Sequence, residues 1–434
     1  MSAAASNSTT APNYPGAPDS PGAPHVVVVG AGMVGVATAI WLRRAGHRVT
    51  IIDREGPAAG ASYGNAGVLA SASIVQVPAP GLWRRVPAML FGRDGPLFLR
   101  WGSVPRLAGF LLRYLRSARD WEKTAGALSV LLHDAVEQHE ALARGTAAER
   151  FITRDDYVFA YADRAAFEAD GAGWRVRQRH GHRFEPMDGA TYARWDPVFE
   201  GRFGFGVRLL DHGRISDPGA YLRALFDHAV ERGVSFRRGT VEWVGDDATV
   251  HLVNGERVEA SHTVVTAGVW SDALLPDLHV PLAAERGYHL EFTEPSHVPR
   301  APTMIAAGKF VLTPMEGRLR AAGVVEFGPR DAKRSRAPLD LLYRQTMRAL
   351  PALEFAERRE WMGHRPAPVD SRPLIGRARK GLNLWAGFGH HHVGLTGGPK
   401  TGRWLAGMIG GDVPNTDLVA FDPERFQQRS LRDA

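Results

Sequence analysis

The chain has 434 residues, no cysteine, 44% hydrophobic and 23% charged residues, and a formal net charge of +7. The missing cysteine excludes disulfides, thiolate metal sites, iron–sulfur clusters, cysteine nucleophiles and a flavin tethered through cysteine. Of the 53 basic residues 48 are arginine and no nucleic-acid-binding motif accompanies them, so the charge reads as arginine-rich coding and not as a nucleic-acid partner.

Residues 1–24 are mostly Ala, Ser, Pro, Gly and Asn, with one acid and no lysine or arginine. Without a positive n-region or an apolar h-region they read as a disordered tail and not as a signal peptide. The 17 residues Val26–Leu42 are uncharged. They fall short of the ~20 needed to span a bilayer, and glycines interrupt them. The expected location is the cytoplasm, soluble or peripheral on the inner face of the membrane.

That same run carries the strongest motif. Val26–Val29 read as a buried parallel strand, followed by Gly30-Ala31-Gly32-Met33-Val34-Gly35 and a helix over 34–45 that stops at Gly46. Gly30 allows a tight turn, Gly32 a close approach to a pyrophosphate, and Gly35 helix-on-strand packing, while the helix N-terminus faces the phosphates. A second strand, Val49–Ile52, ends in Asp53, 18 residues after Gly35, followed by Arg54. An acid there accepts the hydroxyls of an adenosine ribose and disfavours a 2′-phosphate, so a bound dinucleotide other than NADP is expected. The fingerprint alone does not separate NAD from FAD.

The loop Gly60–Gly67 follows, rich in backbone donors, with Ser62, Asn65, Ala66 and Gly67 available to a phosphate or flavin edge. Residues 84–119 hold eight arginines and one acid; Leu107, Phe110, Leu111, Tyr114 and Leu115 share one helical face opposite Arg106, Arg113 and Arg116. This fits either a basic interfacial helix or an ordinary solvated one. Helical sequence continues to about 145 and a strand-rich region to about 212. A helix over 218–232 opens on Asp217-Pro218, an N-cap and N1 pair. Strands follow to 267, including Thr263–Thr266 with the small turn Ala267-Gly268-Val269-Trp270. A further strand-rich block runs to about 330, then a helix near 338–350. Leu384–Phe388 then leads through Gly389-His390-His391-His392-Val393-Gly394-Leu395-Thr396 into a helix to about 409. A helix N-terminus at a flavin's pyrimidine edge stabilises negative charge on the ring. Three consecutive histidines do not easily all face one ion and no carboxylate or cysteine is expected close by, so no metal is expected.

The fingerprint with Asp53, the SYGNAG loop 62–67, TAGVWS at 266–271, GHRPAPVDSRPLIG at 363–376 and the 390–396 segment together resemble the D-amino acid oxidase superfamily, nearest to bacterial D-amino acid dehydrogenases and their D-proline and D-hydroxyproline relatives. The resemblance spans 25 to about 412. It implies an α/β fold: a Rossmann-like FAD-binding domain (25–85, 213–280, 363–415) interleaved with a mixed, largely antiparallel substrate domain (86–212, 281–362), with a tail over 416–434. It implies FAD, non-covalent or joined through a histidine in a chain without cysteine, with Val241 among the binding residues. Arg365 is the expected clamp for the substrate carboxylate, because a guanidinium fork matches it bidentately. Tyr288 and His289 are expected near the substrate, and His390 and His392 at the flavin edge. Relatives more often read Gly-His-Gly-His there, so His391 is a departure whose ring must point away or reshape the pocket.

The implied reaction is hydride transfer from Cα to flavin N5. It yields an imine that water hydrolyses to a 2-oxo acid and ammonia, with electrons passed to quinone or an electron-transfer protein. The competing readings are a sarcosine- or glycine-oxidase-like enzyme using oxygen, a 2-hydroxy acid dehydrogenase, and a non-catalytic FAD-binding subunit.

Overall fold

The structure, a computed structural model, describes residues 22–76, 82–92, 94–379 and 382–427. Most of the expected N-terminal tail, Arg93, and residues 428–434 of the expected C-terminal tail lie outside the described residues, as do the side chains of Arg84 and Arg85.

A six-stranded sheet forms around His25–Val29. Its order is Leu374–Arg377, Leu384–Phe388, His262–Val265, His25–Val29, Arg48–Asp53 and Ser235–Arg238. The pairs are parallel except at the first edge. The four valines are buried on both faces, as a central parallel strand requires. Helix Met33–Arg44 covers one face and packs against helix Gly394–Ile409 from the far end of the chain. Helix Pro218–Glu231 covers the same face and is capped as its sequence predicts, with the Asp217 carboxylate accepting from Ala220 N–H at 2.9 Å. A three-stranded antiparallel sheet over 241–258 lies on the other side.

The second large sheet is mixed. Its eight-strand path runs Glu357–Pro368, Leu282–Thr293, Arg318–Phe327, Phe310–Met315, Thr303–Ile305, Ile152–Tyr161, Phe205–Ile215 and Val68–Leu69, with Leu97–Leu99 and Phe184–Asp188 as side strands. Most pairs are antiparallel. The strand-rich reading from about 145 to about 212 missed three short helices, Arg164–Ala169, Gly171–Arg179 and Gly189–Trp195. Two of them open on an aspartate cap, Asp163 and Asp188.

Strand Leu282–Thr293 decides what reaches the site. Arg286, Tyr288, Leu290 and Phe292 turn to one face, against the core under helix Arg336–Ala349. Glu285, Gly287, His289 and Glu291 turn to the other, toward the six-stranded sheet. Helix Val104–Arg116 buries Tyr114 and half-buries Leu107, Phe110, Leu111 and Leu115, leaving Arg106, Arg113 and Arg116 exposed.

Candidate active site

One continuous cavity of about 1570 Å³ runs from the glycine turn after His25–Val29 to the second sheet. At its first end the backbone turns at Gly30 with φ +113°. A Cβ on Gly35 would fall 1.9 Å from the Gly30 carbonyl oxygen, so only glycine lets the helix start this close to the strand. Thr266 ties the TAG turn to this one, its hydroxyl donating to the Val29 and Gly30 carbonyls at 2.9 and 3.2 Å. The helix over 33–44 has neither a capping side chain nor an acid in its first turn. Ser62 Oγ reaches it from the next loop and accepts from Met33 N–H at 3.0 Å. This is an anion cradle of the kind a pyrophosphate fills.

Asp53 does more than the sequence assigned to it. Its Oδ2 accepts from Ala31 N–H, and its Oδ1 from Glu55 and Gly56 N–H, each at 2.8 Å. The carboxylate braces the loops it serves and retains lone pairs for ribose hydroxyls. Arg54 stacks over Trp270, 3.9 Å from the ring centroid, and Val241, Ala267 and Gly268 line the cavity beside them.

Loop 62–67 is braced from within and from the second sheet. The Asn65 amide first shapes the loop itself, and keeps one N–H and one lone pair on the cavity it lines. Its Nδ2 donates to Ser62 O at 2.6 Å, and its Oδ1 accepts from Gly67 N–H at 2.8 Å. Arg320, fully buried, pins the loop from the second sheet through the carbonyls of Tyr63 (2.9 Å) and Asn65 (2.6 Å). It also pairs with Glu291 at 2.6 Å. The N-terminus of helix Gly394–Ile409 opens on the same cavity through Gly394, Leu395 and Thr396, again without a capping side chain or first-turn acid. Two helix ends without an N-cap side chain or first-turn acid, and a glycine cradle, in one cleft fit a flavin dinucleotide, with the phosphates suited to the first end and the electron-rich ring edge to the second.

A family model described as "DAO: FAD dependent oxidoreductase" matches residues 25–408. The chain belongs to this family. It is 36% identical over 418 residues, 93% of the chain and 99% of the relative, to a D-amino-acid oxidase of Bradyrhizobium diazoefficiens. It is 30% identical over 414 residues, 91% and 98%, to a D-amino acid dehydrogenase of Dechloromonas aromatica. Its fold is that of glycine oxidase from Geobacillus kaustophilus, with a TM-score of 0.71 at 17% identity over 93% of this chain and 99% of that one. The cofactor of this DAO-family enzyme is FAD, and its architecture is a Rossmann-like FAD-binding unit interleaved with a mixed substrate sheet.

The wall opposite the fingerprint differs from the sequence expectation. Arg365 lines the cavity, half-buried, but its Nη1 is held by Glu285 Oε1 at 2.7 Å. Gly287 makes room for it, since a Cβ there would lie 2.6 Å from Arg365 Cζ. Glu285, which sequence reasoning missed, also accepts from His391 Nε2 at 2.6 Å. Burial alone would raise its pKa, but His391 and Arg365 hold it well below the usual carboxylate range. A carboxylate does therefore stand beside the histidine run, contrary to expectation, and the Glu285, His391 and His392 ligand atoms lie within 4.8 Å of one another. The Arg365 guanidinium on the same carboxylate opposes a metal ion there.

The three histidines separate. His390 turns inward to Thr401 Oγ1 at 2.9 Å, and burial pushes its pKa down to about 3. His391, at φ +51°, packs its ring against Glu285 and edge-on to Tyr114. His392 faces the cavity, exposed to it, 3.9 Å from the His391 ring; its place deep in the cleft, with the neighbouring His391, lowers its pKa. Tyr288 and His289 are not brought to the cavity. The Tyr288 hydroxyl donates to Glu326 at 2.6 Å on the core face. His289 is capped by Gly64 O at 3.0 Å and stacked on Trp361 at 4.9 Å. Burial and Arg320 push its pKa down to about 3, so it is neutral.

Proposed function

We propose that this enzyme oxidatively deaminates a D-amino acid. The observation that carries the reading is a half-buried guanidinium, Arg365, on the wall of the cavity that holds the dinucleotide cradle. Glu285 fixes its orientation from one side and leaves the remaining N–H groups for a substrate carboxylate. A carboxylate so held fixes the direction of the Cα–H bond. FAD supplies the hydride acceptor. With hydride lost from Cα of the neutral amine and a proton lost from its nitrogen to water, the product is an imine, which water hydrolyses to a 2-oxo acid and ammonia; a cyclic substrate such as D-proline or hydroxyproline gives a cyclic imine. The relatives named D-amino-acid oxidase and D-amino acid dehydrogenase support the substrate class.

The test is anaerobic mixing with D-amino acids, D-proline, hydroxyprolines, glycine and sarcosine. Bleaching of the flavin band by D-amino acids, with apparent Kd raised at least 100-fold in Arg365→Leu, is expected. No bleaching by any of them overturns the reading. Electrons pass to quinone or an electron-transfer protein in the first reading and to oxygen in the second, which the similarity to an enzyme named oxidase favours. Dye reduction against oxygen consumption separates the two. We also propose that 84–119 touches an anionic membrane surface. Phe91, Trp101 and Leu112 are exposed in it, the first two rings stacked at 5.9 Å, together with Arg106, Arg113 and Arg116. Among the described residues no helix is long and apolar enough to cross a membrane. Salt-sensitive co-sedimentation with anionic vesicles, lost on reversing those three charges, is expected; its absence removes the membrane contact.

A further inference from the structure

Five cationic side chains line the cavity among the described residues: Arg54, Arg177, Lys309, Arg330 and Arg365. Four have a carboxylate partner: Glu55, Asp170, Asp272 and Glu285 respectively. Arg177 has none. It leaves helix Gly171–Arg179 and passes beside the Phe159 and Trp174 rings, 5.3 and 4.9 Å from their centroids. Its Nε donates to Ala72 O at 3.1 Å, and its two terminal nitrogens have no protein acceptor among the described residues. The side chain is half-buried and lines the cavity. Burial pushes its pKa down, as expected for a cation taken from water without a counter-charge.

The surroundings are built for an anion. Tyr157 lines the cavity next to it, and its hydroxyl has no protein partner among the described residues. Burial raises the Tyr157 pKa, so it stays a donor. Asp170, the nearest acid, is drawn off by the Tyr161 hydroxyl at 3.2 Å and by Lys309 at 3.8 Å. A guanidinium with two open nitrogens beside a phenol is the donor set that takes a carboxylate bidentately. We propose that Arg177 anchors a second anion subsite, which takes a carboxylate on the side chain of the substrate, so that acidic amino acids are preferred. The word substrate rests on the amino-acid reading above; the anion subsite itself does not.

The experiment is calorimetric titration of the holoenzyme with two acids it cannot oxidise, glutarate and butyrate. Glutarate binding at least tenfold tighter than butyrate is expected. Arg177→Gln abolishes that advantage, Arg177→Lys keeps part of it, and Asp170→Asn, which removes the nearest like charge, tightens glutarate several-fold. In turnover, the ratio of kcat/KM for D-glutamate over D-alanine falls at least tenfold in Arg177→Gln, through KM. Equal binding of the two acids by the unaltered enzyme, an advantage that survives Arg177→Gln, or an equal loss for both acids each overturns the proposal. An enzyme that prefers glutarate but is reduced by no D-amino acid keeps the subsite and refutes the function instead.

Discussion

The coupling between the two halves of the site rests on one buried side chain, and a double-mutant cycle measures it. Arg320 donates to Glu291 and to the carbonyls of Tyr63 and Asn65, and Glu291 is also held by Arg318 at 2.7 Å. Arg320→Met leaves two loop carbonyls without their donor and Glu291 with Arg318 alone. Removing one partner of a buried pair costs about 3–5 kcal/mol, and Glu291→Gln, which strands a fully buried guanidinium, falls in the same range. The double variant removes both charges together and falls short of the sum by about 1–3 kcal/mol. Urea unfolding of the apoprotein reads these differences without the contribution of bound FAD. FAD affinity gives a second readout that only the loop contacts move. In Arg320→Met the loop over 62–67 loses its anchor and FAD Kd rises at least tenfold, about 1.4 kcal/mol. In Glu291→Gln the loop contacts persist and the rise is smaller. Additive stability losses, or an unchanged FAD Kd in Arg320→Met, refute the reasoning.

Gly35→Ala forces the first helix off the strand, because the new methyl would stand 1.9 Å from the Gly30 oxygen; FAD affinity falls at least 100-fold by fluorescence titration. Acid destabilises the fold well before the carboxylates titrate. His139 and His212 are pushed by burial to about 4, and His289 and His390 to about 3, so the unfolded chain takes up protons below about pH 6.5 that the folded chain refuses. Their contribution is complete above that pH and shrinks as pH falls, by up to about 2 kcal/mol per histidine between pH 6.5 and 5. Melting temperature recorded over pH 5–7.5 declines below 6.5; a flat profile contradicts this. Arg365→Lys keeps the charge but loses the fork, so carboxylate binding weakens more than tenfold while FAD remains bound.

The cofactor half was legible because its signals are local. A strand, three glycines, a helix and an acid lie within 29 residues, and each carries its own physical constraint. The opposite wall was not, because its residues meet only through the second sheet. Glu285 and His391 are 106 positions apart, and nothing in the spacing of either announces the other. Strand period offered one unused clue. Alternation along 282–293 puts Glu285 and Gly287 on a face that excludes Tyr288, whose hydroxyl is satisfied in the core. His289 lies on the favourable face and is still covered, since Trp361 and the Gly64 carbonyl reach it first. Arg177 sits on a short helix hidden inside a strand-rich stretch, and its lack of a partner can be seen only in three dimensions.

The six-stranded sheet has a consequence for how the enzyme matures. Its first strand waits for a neighbour some 236 positions later, and that neighbour waits for Leu384–Phe388. The helix end facing the ring side of the cleft follows only at Gly394. During synthesis the N-terminal cradle therefore emerges without its walls, and apolar strands of unsealed sheet stay exposed until nearly the whole chain has been made. A chain cut short before helix Gly394–Ile409 lacks part of the cavity wall that FAD needs.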